Sequence, residues 1–387
     1  MKVIPYGRQL IDEDDIAAVV ATLRSDWLTQ GPAIERFERK VADYCGVKHA
    51  VAVANGTAAL HIAAATIDLQ PGDSLWTSPN TFVASANCAR YLGADVDFVD
   101  IDPRTYNLSV PRLEEKLAAA AKAGRLPKVI VPVHFSGQSC EMEAIAALAK
   151  RHGIAVLEDA AHAIGARYRG RPVGSCEFSD LATFSFHPVK IITTAEGGMV
   201  VTNRTDLYER LLLFRSHGIT RDPKLMAGES HGPWYYQQSE LGWNYRLTDL
   251  QAALGESQMS KLNAFVARRA AFARRYDELL CDFPLVTPWQ HPDTANAWHL
   301  YVIRLRLGRL QKSRRQIVEE LRAAGIGVQI HYIPVHTQPY YRRLGFKEGD
   351  FPEAEKHYSE AISLPMFAGL TDEEQERVVE TLKGVLG

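Results

Sequence analysis

An α/β fold with a mostly parallel sheet is predicted for this chain of 387 residues. Three observations predict it. Short apolar runs alternate with amphipathic stretches, the pattern of a sheet wrapped by helices. One apolar run, Ile154-Ala-Val-Leu-Glu-Asp159, ends on an acid followed by small residues, and such strand ends face the ligand crevice of open α/β sheets. The length allows one large core plus a smaller domain.

Taken in order, Ile11 to Asp15 reads as a capped helix start, with acids on the favourable end of the dipole. Strands are expected at residues 50–54, 74–77, 96–99, 129–133, 155–158, 181–186 and 199–202. Helices fit between them at 57–67, 85–92, 110–123 and 141–151, the last closed by Gly153. Residues 221–238, broken by Pro223, Gly228, Gly232 and Pro233 and carrying Trp234, Tyr235 and Tyr236, read as a mobile loop over a site or as an interface loop. A composition shift then opens one long helix from about 248 to 280 and sets the expected domains at 1–255 and 256–387. In the second unit, strands at 298–305 and 327–332 are separated by a helix at 313–324 that Gly325 stops.

Composition narrows the function classes. With 44 basic and 46 acidic residues, a net charge of −2 and no basic block, a nucleic-acid partner is not expected. Five cysteines without a CxxC pair suit a reducing cytoplasm, the expected location. No apolar run approaches the roughly 20 residues of a membrane span, and the start Met1 to Arg8 lacks the apolar core of a signal peptide, so no membrane partner is expected. The thirteen histidines form no HExxH motif, and no metal site is expected.

The segment Thr183-Phe-Ser-Phe-His-Pro-Val-Lys190-Ile-Ile-Thr-Thr-Ala-Glu-Gly-Gly198 strands one lysine among apolar residues. Desolvation lowers an amine's pKa and leaves it neutral, able to attack a carbonyl. Pyridoxal phosphate (PLP) is the carbonyl expected; the alternative is a lysine that snorkels to the surface. Asp159 suits the protonated pyridine nitrogen of that cofactor, or else caps a helix. Gly56 and Thr57, opening a helix after an apolar strand, offer backbone N–H groups to a phosphate, or are simple packing. Ser185 is a second phosphate contact, and Phe82 stacks on the pyridine face or belongs to the core.

These residues stand in a set of motifs: Leu28-Thr-Gln-Gly-Pro32, Asn55-Gly-Thr-Ala58, Glu158-Asp-Ala-Ala-His-Ala-Ile-Gly165, Ser185-Phe-His-Pro-Val-Lys190, Thr194-Ala-Glu-Gly-Gly198, Phe214-Arg-Ser-His-Gly218 and Gly242-Trp-Asn-Tyr-Arg-Leu247. In that order, and nearly end to end, the chain resembles the DegT/DnrJ/EryC1/StrS family of sugar aminotransferases. The resemblance implies the PLP-dependent transferase fold of aspartate aminotransferase (fold type I), with a mostly parallel seven-stranded sheet and a smaller C-terminal α/β domain. It makes Lys190 the cofactor-bearing lysine and Asp159 the pyridinium partner, and it puts Gly56, Thr57 and Ser185 at the phosphate. Asn244 would reach the phosphate of the neighbouring subunit's cofactor, implying a homodimer with shared active sites. Many relatives have Gln where His162 stands, and histidine can still hydrogen-bond the cofactor's phenolic oxygen. The sugar dehydratases of the family have histidine where Lys190 stands, so lysine there favours amino transfer over dehydration; a non-catalytic binding protein is the other rival.

The start Ile4-Pro-Tyr6, the segment Ile191 to Gly198 and Gly325-Ile-Gly-Val-Gln-Ile-His331-Tyr332-Ile-Pro334 most resemble the branch of the pseudaminic acid pathway. That branch implies amino transfer from L-glutamate to C4 of a UDP-linked 4-keto-6-deoxy-N-acetylhexosamine. Expected substrate contacts are Tyr6, the loop Asp26-Trp27-Leu28-Thr29, His331 and Tyr332, since aromatic faces pack on sugar C–H surfaces. The alternative for Trp27 and Tyr332 is that they are interface anchors. Arg215 and His217 either neutralise a phosphate or support the site.

Overall fold

Seven strands form the central sheet of the computed structural model, which describes residues 3–387. They are β1 (His49–Val53), β2 (Ser74–Thr77), β3 (Asp95–Phe98), β4 (Val129–Val131), β5 (Ala155–Asp159), β6 (Leu181–Ser185) and β7 (Gly198–Thr202), in the order β1-β7-β6-β5-β4-β2-β3. Strands β2 to β6 pair in parallel, and only β7 runs antiparallel to its neighbours. Each of the seven strands expected for this sheet is present. The fourth ends early because Pro132 has no N–H to give the ladder, yet its carbonyl still accepts from Asp159 N at 2.9 Å.

Both faces of the sheet are covered, as a parallel sheet requires. Along β1, Val51 and Val53 pack against the Ala-rich helix Gly56–Thr66, while Ala50 and Ala52 join Phe37 and Val41 of the helix Pro32–Cys45. That alternation is the period of two that a strand imposes. The expected helix start at Asp12 is a capping box, with Asp12 and Asp15 each accepting from the other's N–H.

A second sheet joins Leu285–Val286, Tyr301–Leu305 and Ala361–Leu364 in antiparallel register. Its core takes Phe272, Tyr276, Ile303, Leu364 and Leu382, and Ile4 from the start of the chain. Among the described residues no helix is long and apolar enough to cross a membrane.

Three expected elements differ. The long helix is two, Asp249–Met259 and Leu262–Leu279. Its first half serves the N-terminal helices: buried Gln258 donates to Leu10 O at 3.0 Å and Asp15 Oδ2 at 2.7 Å, and Lys261 pairs with Asp15 at 2.9 Å. Its second half serves the small core, so the chain turns between them. The strand expected at 298–305 starts only at Tyr301, because Trp298 is left-handed (φ 53°) and buried Arg269 draws the carbonyls of Trp298 and His299 at 3.1 and 3.3 Å. Residues 327–332 are not a strand. Ile4 occupies their partner positions, donating to Gly325 O at 2.9 Å and accepting from Gly327 N at 2.7 Å, and only Gln329 bridges to Ser363.

Candidate active site

The parallel pairing of β5 with β6 sets Asp159 opposite Thr183, so Ser185 and the following segment to Lys190 leave the sheet beside the Asp159 carboxylate. On the other side of β6, β7 comes close because it begins with Gly198, where a Cβ would lie 2.4 Å from Asn55 O. The turn at Asn55 and the start of its helix are thereby drawn to the same edge. A cavity of about 740 Å³ opens there, within the range of small-molecule sites.

One wall is a helix N-terminus. Asn55 Oδ1 caps Ala58 N at 2.8 Å and Asn55 O takes Ala59 N at 3.1 Å, which leaves the N–H groups of Gly56 and Thr57 without partners among the described residues. Ser185 faces them closely: a Cβ on Gly56 would sit 2.9 Å from Ser185 Cβ and 3.1 Å from its Oγ. Free N–H groups at the positive end of a helix dipole, with a hydroxyl opposite, fit a phosphate.

Asp159 is buried, with Oδ1 accepting from Ala161 N at 3.1 Å and Oδ2 from Ser85 Oγ at 2.6 Å. Turns, not a helix, follow it, so the helix-cap reading fails. Lys190 lines the same cavity, and its ammonium has no hydrogen bond or ion pair among the described residues. Burial lowers its pKa to about 8, against the opposing pull of Asp159. Phe82 is 58% exposed at the mouth, its ring 6.4 Å from that of Tyr332, so it is not a core residue. An amine, a carboxylate and an anion cradle around one cavity fit a phosphate-bearing carbonyl cofactor with a basic ring nitrogen. Among the described residues no group of three or more His, Cys, Asp or Glu could hold a metal.

Of the other expected residues, Tyr6, His162, His331 and Tyr332 line the cavity. His162 has both ring nitrogens within hydrogen-bond distance of protein groups, Nδ1 of Ser136 N at 3.2 Å and Nε2 of Tyr332 Oη at 3.0 Å. Asp26, Trp27, Leu28, Thr29 and Asn244 are exposed and outside the cavity of their own chain. Asp249 holds the loop after Thr29 on the outer face, its carboxylate accepting from Gly31 N at 2.7 Å and Ala33 N at 2.9 Å. Arg215 points inward to Glu38 at 2.6 Å and Ala52 O at 3.1 Å, and His217 N donates to Trp243 O at 2.9 Å. The main chain of both residues supports the 242–246 segment, since Tyr245 N also donates to Arg215 O at 3.0 Å. No residue of 221–238 lines the cavity.

Sequence reading missed His187, Glu196, Tyr245 and His299, which also line the cavity. The Gly242–Leu247 motif was the available signal for Tyr245. His299 carried none, because only the left-handed turn at Trp298 takes it out of the strand register.

These groups, meeting at the ends of one sheet, form a site for a phosphate-bearing carbonyl cofactor, and similarity gives the class. The profile of the DegT/DnrJ/EryC1/StrS aminotransferase family matches residues 9–383, and the chain belongs to that family. The spore coat polysaccharide biosynthesis protein SpsC of Bacillus subtilis is 39% identical over 386 residues, covering 99% of this chain and 97% of SpsC. Helicobacter pylori PseC, an aminotransferase involved in the biosynthesis of pseudoaminic acid, superposes with a TM-score of 0.90 at 32% identity, over 100% of this chain and 99% of PseC. The PLP-form of Spr1654 from Streptococcus pneumoniae superposes with a TM-score of 0.89 at 29% identity, over 99% and 98% of the two chains.

The Lys190 amine should be titratable in the cofactor-free protein. Acylation of Lys190, followed by peptide mass spectrometry, is expected to rise through about pH 8 as the ammonium loses its proton, while exposed lysines follow near 10.5. A Lys190 profile that coincides with theirs contradicts the desolvated amine.

Proposed function

We propose that this chain is a PLP-dependent aminotransferase that moves an amino group from L-glutamate to C4 of a UDP-linked 4-keto-6-deoxy-N-acetylhexosamine. The product is UDP-4-amino-4,6-dideoxy-N-acetyl-β-L-altrosamine, a precursor of pseudaminic acid. The observation that carries the reading is the meeting of Lys190, Asp159 and the Gly56–Thr57 helix start on one cavity. The structural likeness to PseC and the relation to a polysaccharide biosynthesis protein support a sugar substrate.

When bound, PLP supplies an electrophilic aldehyde and an electron-poor ring that stabilises negative charge at the reacting carbon. Lys190 is the residue that carries it, and a pKa of about 8 leaves part of the amine neutral near neutral pH. With the cofactor and donor bound, the free Lys190 Nζ would take the proton from the donor's α-carbon, and with the sugar bound it would deliver one to C4. Asp159, fixed by Ser85 and Ala161 N, keeps a proton on the ring nitrogen. Gly56, Thr57 and Ser185 hold the phosphate, and Phe82 at the mouth packs on the ring face. Tyr6, His331 and Tyr332 receive the sugar; the rings of Tyr6 and His331 are 5.5 Å apart.

The exposed Trp27, Leu28 and Asn244 belong, in this reading, to a homodimer interface through which Asn244 completes the partner's phosphate site. The enzyme works in the cytoplasm, where its five cysteines, none of them in a disulfide, stay reduced.

Turnover with glutamate should be fastest on UDP-2-acetamido-2,6-dideoxy-β-L-arabino-hex-4-ulose, compared with its D-xylo epimer and a dTDP-4-keto-6-deoxyhexose. Site groups left unpaired by the wrong epimer discriminate far more strongly than a lost methylene. Preference for either competitor would replace the substrate assignment and leave the aminotransferase standing. For assembly, the inactive variants Lys190→Ala and Asn244→Ala should recover part of the activity when dissociated and reassembled together, because one site of each hybrid is intact. No recovery from a mixture that demonstrably forms hybrids contradicts a shared site.

A further inference from the structure

Among the described residues the Asp159 carboxylate forms no ion pair and takes two hydrogen bonds, both from neutral donors. The first is local: Ala161 N, two residues on, reaches Oδ1 at 3.1 Å. The second comes from 74 residues away, where Ser85 Oγ stands 2.6 Å from Oδ2. Three titratable groups feel the charge of this carboxylate, namely Lys190, Cys88 and Tyr332. Burial, with that charge adding to it, keeps the Cys88 thiol and the Tyr332 phenol neutral.

The direction of the Ser85 proton follows from its neighbours, since a hydroxyl has only one proton to give. Two acceptors are in reach of Ser85 Oγ, Asp159 Oδ2 at 2.6 Å and Phe82 O at 3.3 Å, and the nearer is also the charged one. The proton therefore goes to Asp159. Thr81 Oγ1, 2.7 Å from Ser85 Oγ, must then be the donor to it. The chain runs one way, from Thr81 to Ser85 to Asp159, and each donor in such a chain polarises the next. All three residues are buried. The segment that carries the two hydroxyls is held along its length: Val335 N donates to Pro79 O at 2.9 Å, Asn80 Nδ2 to Tyr106 O at 3.1 Å and Asn87 N to Val83 O at 2.8 Å. The helix Ala84–Tyr91 takes no side-chain cap at its start, so the Ser85 hydroxyl is not spent on its own helix.

The inference rests on the PLP reading above. A basic ring nitrogen that faces a buried carboxylate shares one proton with it, and the side that holds the proton decides how electron-poor the ring is. Donors to the carboxylate stabilise its anionic form and so leave the proton on the ring. We propose that Ser85 is a positioning residue for the reaction, which fixes Oδ2 of Asp159 and holds the shared proton on the ring nitrogen, and that Thr81 acts on it only through Ser85.

The test is nitrogen NMR of the protein loaded with PLP that is isotopically labelled at its ring nitrogen, recorded across pH. The chemical shift of that nitrogen reads its proton directly and without turnover. Ser85→Ala should move the loss of the proton about one pH unit lower than in the wild-type protein, the size of one hydrogen bond to a charged oxygen. Ser85→Thr, which keeps the hydroxyl, should restore the wild-type curve, whereas a role in packing alone leaves the wild-type and Ser85→Ala curves superimposed. Thr81→Val, nearly the same shape without the donor, should shift the curve the same way by less and add nothing in the Ser85→Ala background. Coincident curves for wild type and Ser85→Ala, or a Thr81→Val shift that adds in full to that of Ser85→Ala, overturn the assignment. Should Ser85→Ala fail to fold, an unshifted Thr81→Val curve overturns it instead. Failure of the wild-type chain to bind PLP is a separate result, which removes the functional reading and this assignment with it.

Discussion

The site depends on the register of β5 against β6. Adjacent residues of a strand point to opposite faces, so the pairing that puts Asp159 opposite Thr183 at the cavity also sends its neighbour Glu158 to the other side. There Glu158 is tied to His134 Nε2 at 2.7 Å and to Ser179 Oγ, fully buried and unavailable to a ligand. A slip of one residue would exchange the two acids. The same register carries Ser185 to the phosphate cradle and sets the path by which the chain returns Lys190 toward Asp159. Gly198 completes the arrangement, since any side chain there would push β7 away from the Asn55 turn.

Within that frame the electrostatics are spare. A fall in the Lys190 pKa from 10.5 to about 8 means that burial disfavours the ammonium by about 3 kcal/mol more than Asp159 favours it. Closer contact with the carboxylate would reverse this balance and leave a permanently charged, unreactive lysine. The surrounding histidines follow the same rule: burial, with the charge of Lys190 adding to it, depresses His162, His299 and His331, the last to about 3. Neutral rings of this kind can pass or orient protons without adding positive charge near the reacting carbon.

Much of this was legible in the sequence, and the exceptions have physical causes. The central strands were readable because apolar runs in a sheet covered on both faces need no partner to declare themselves. Lys190, Asp159, Gly56 and Ser185 were readable because each sits where an apolar strand gives way to a turn. The break at Lys261 was not, since it depends on the distant Asp12 and Asp15. Nor was the loss of a strand at 327–332, which follows from Ile4 lying across Gly325 and Gly327. The loop Asp26–Thr29 was read as a substrate contact from its chemistry, but a single chain places it on the outer face. For His162 the sequence showed a polar residue after the strand, and only the fold sets Ser136 N and Tyr332 Oη against its ring.

The central claim is that Lys190 is the amine that binds the cofactor, and covalent trapping tests it directly. The protein loaded with PLP, reduced with borohydride and digested, should yield one pyridoxyl-labelled peptide, with the label on Lys190. A label on any other lysine, or a quantitatively labelled Lys190→Ala variant, would contradict the account.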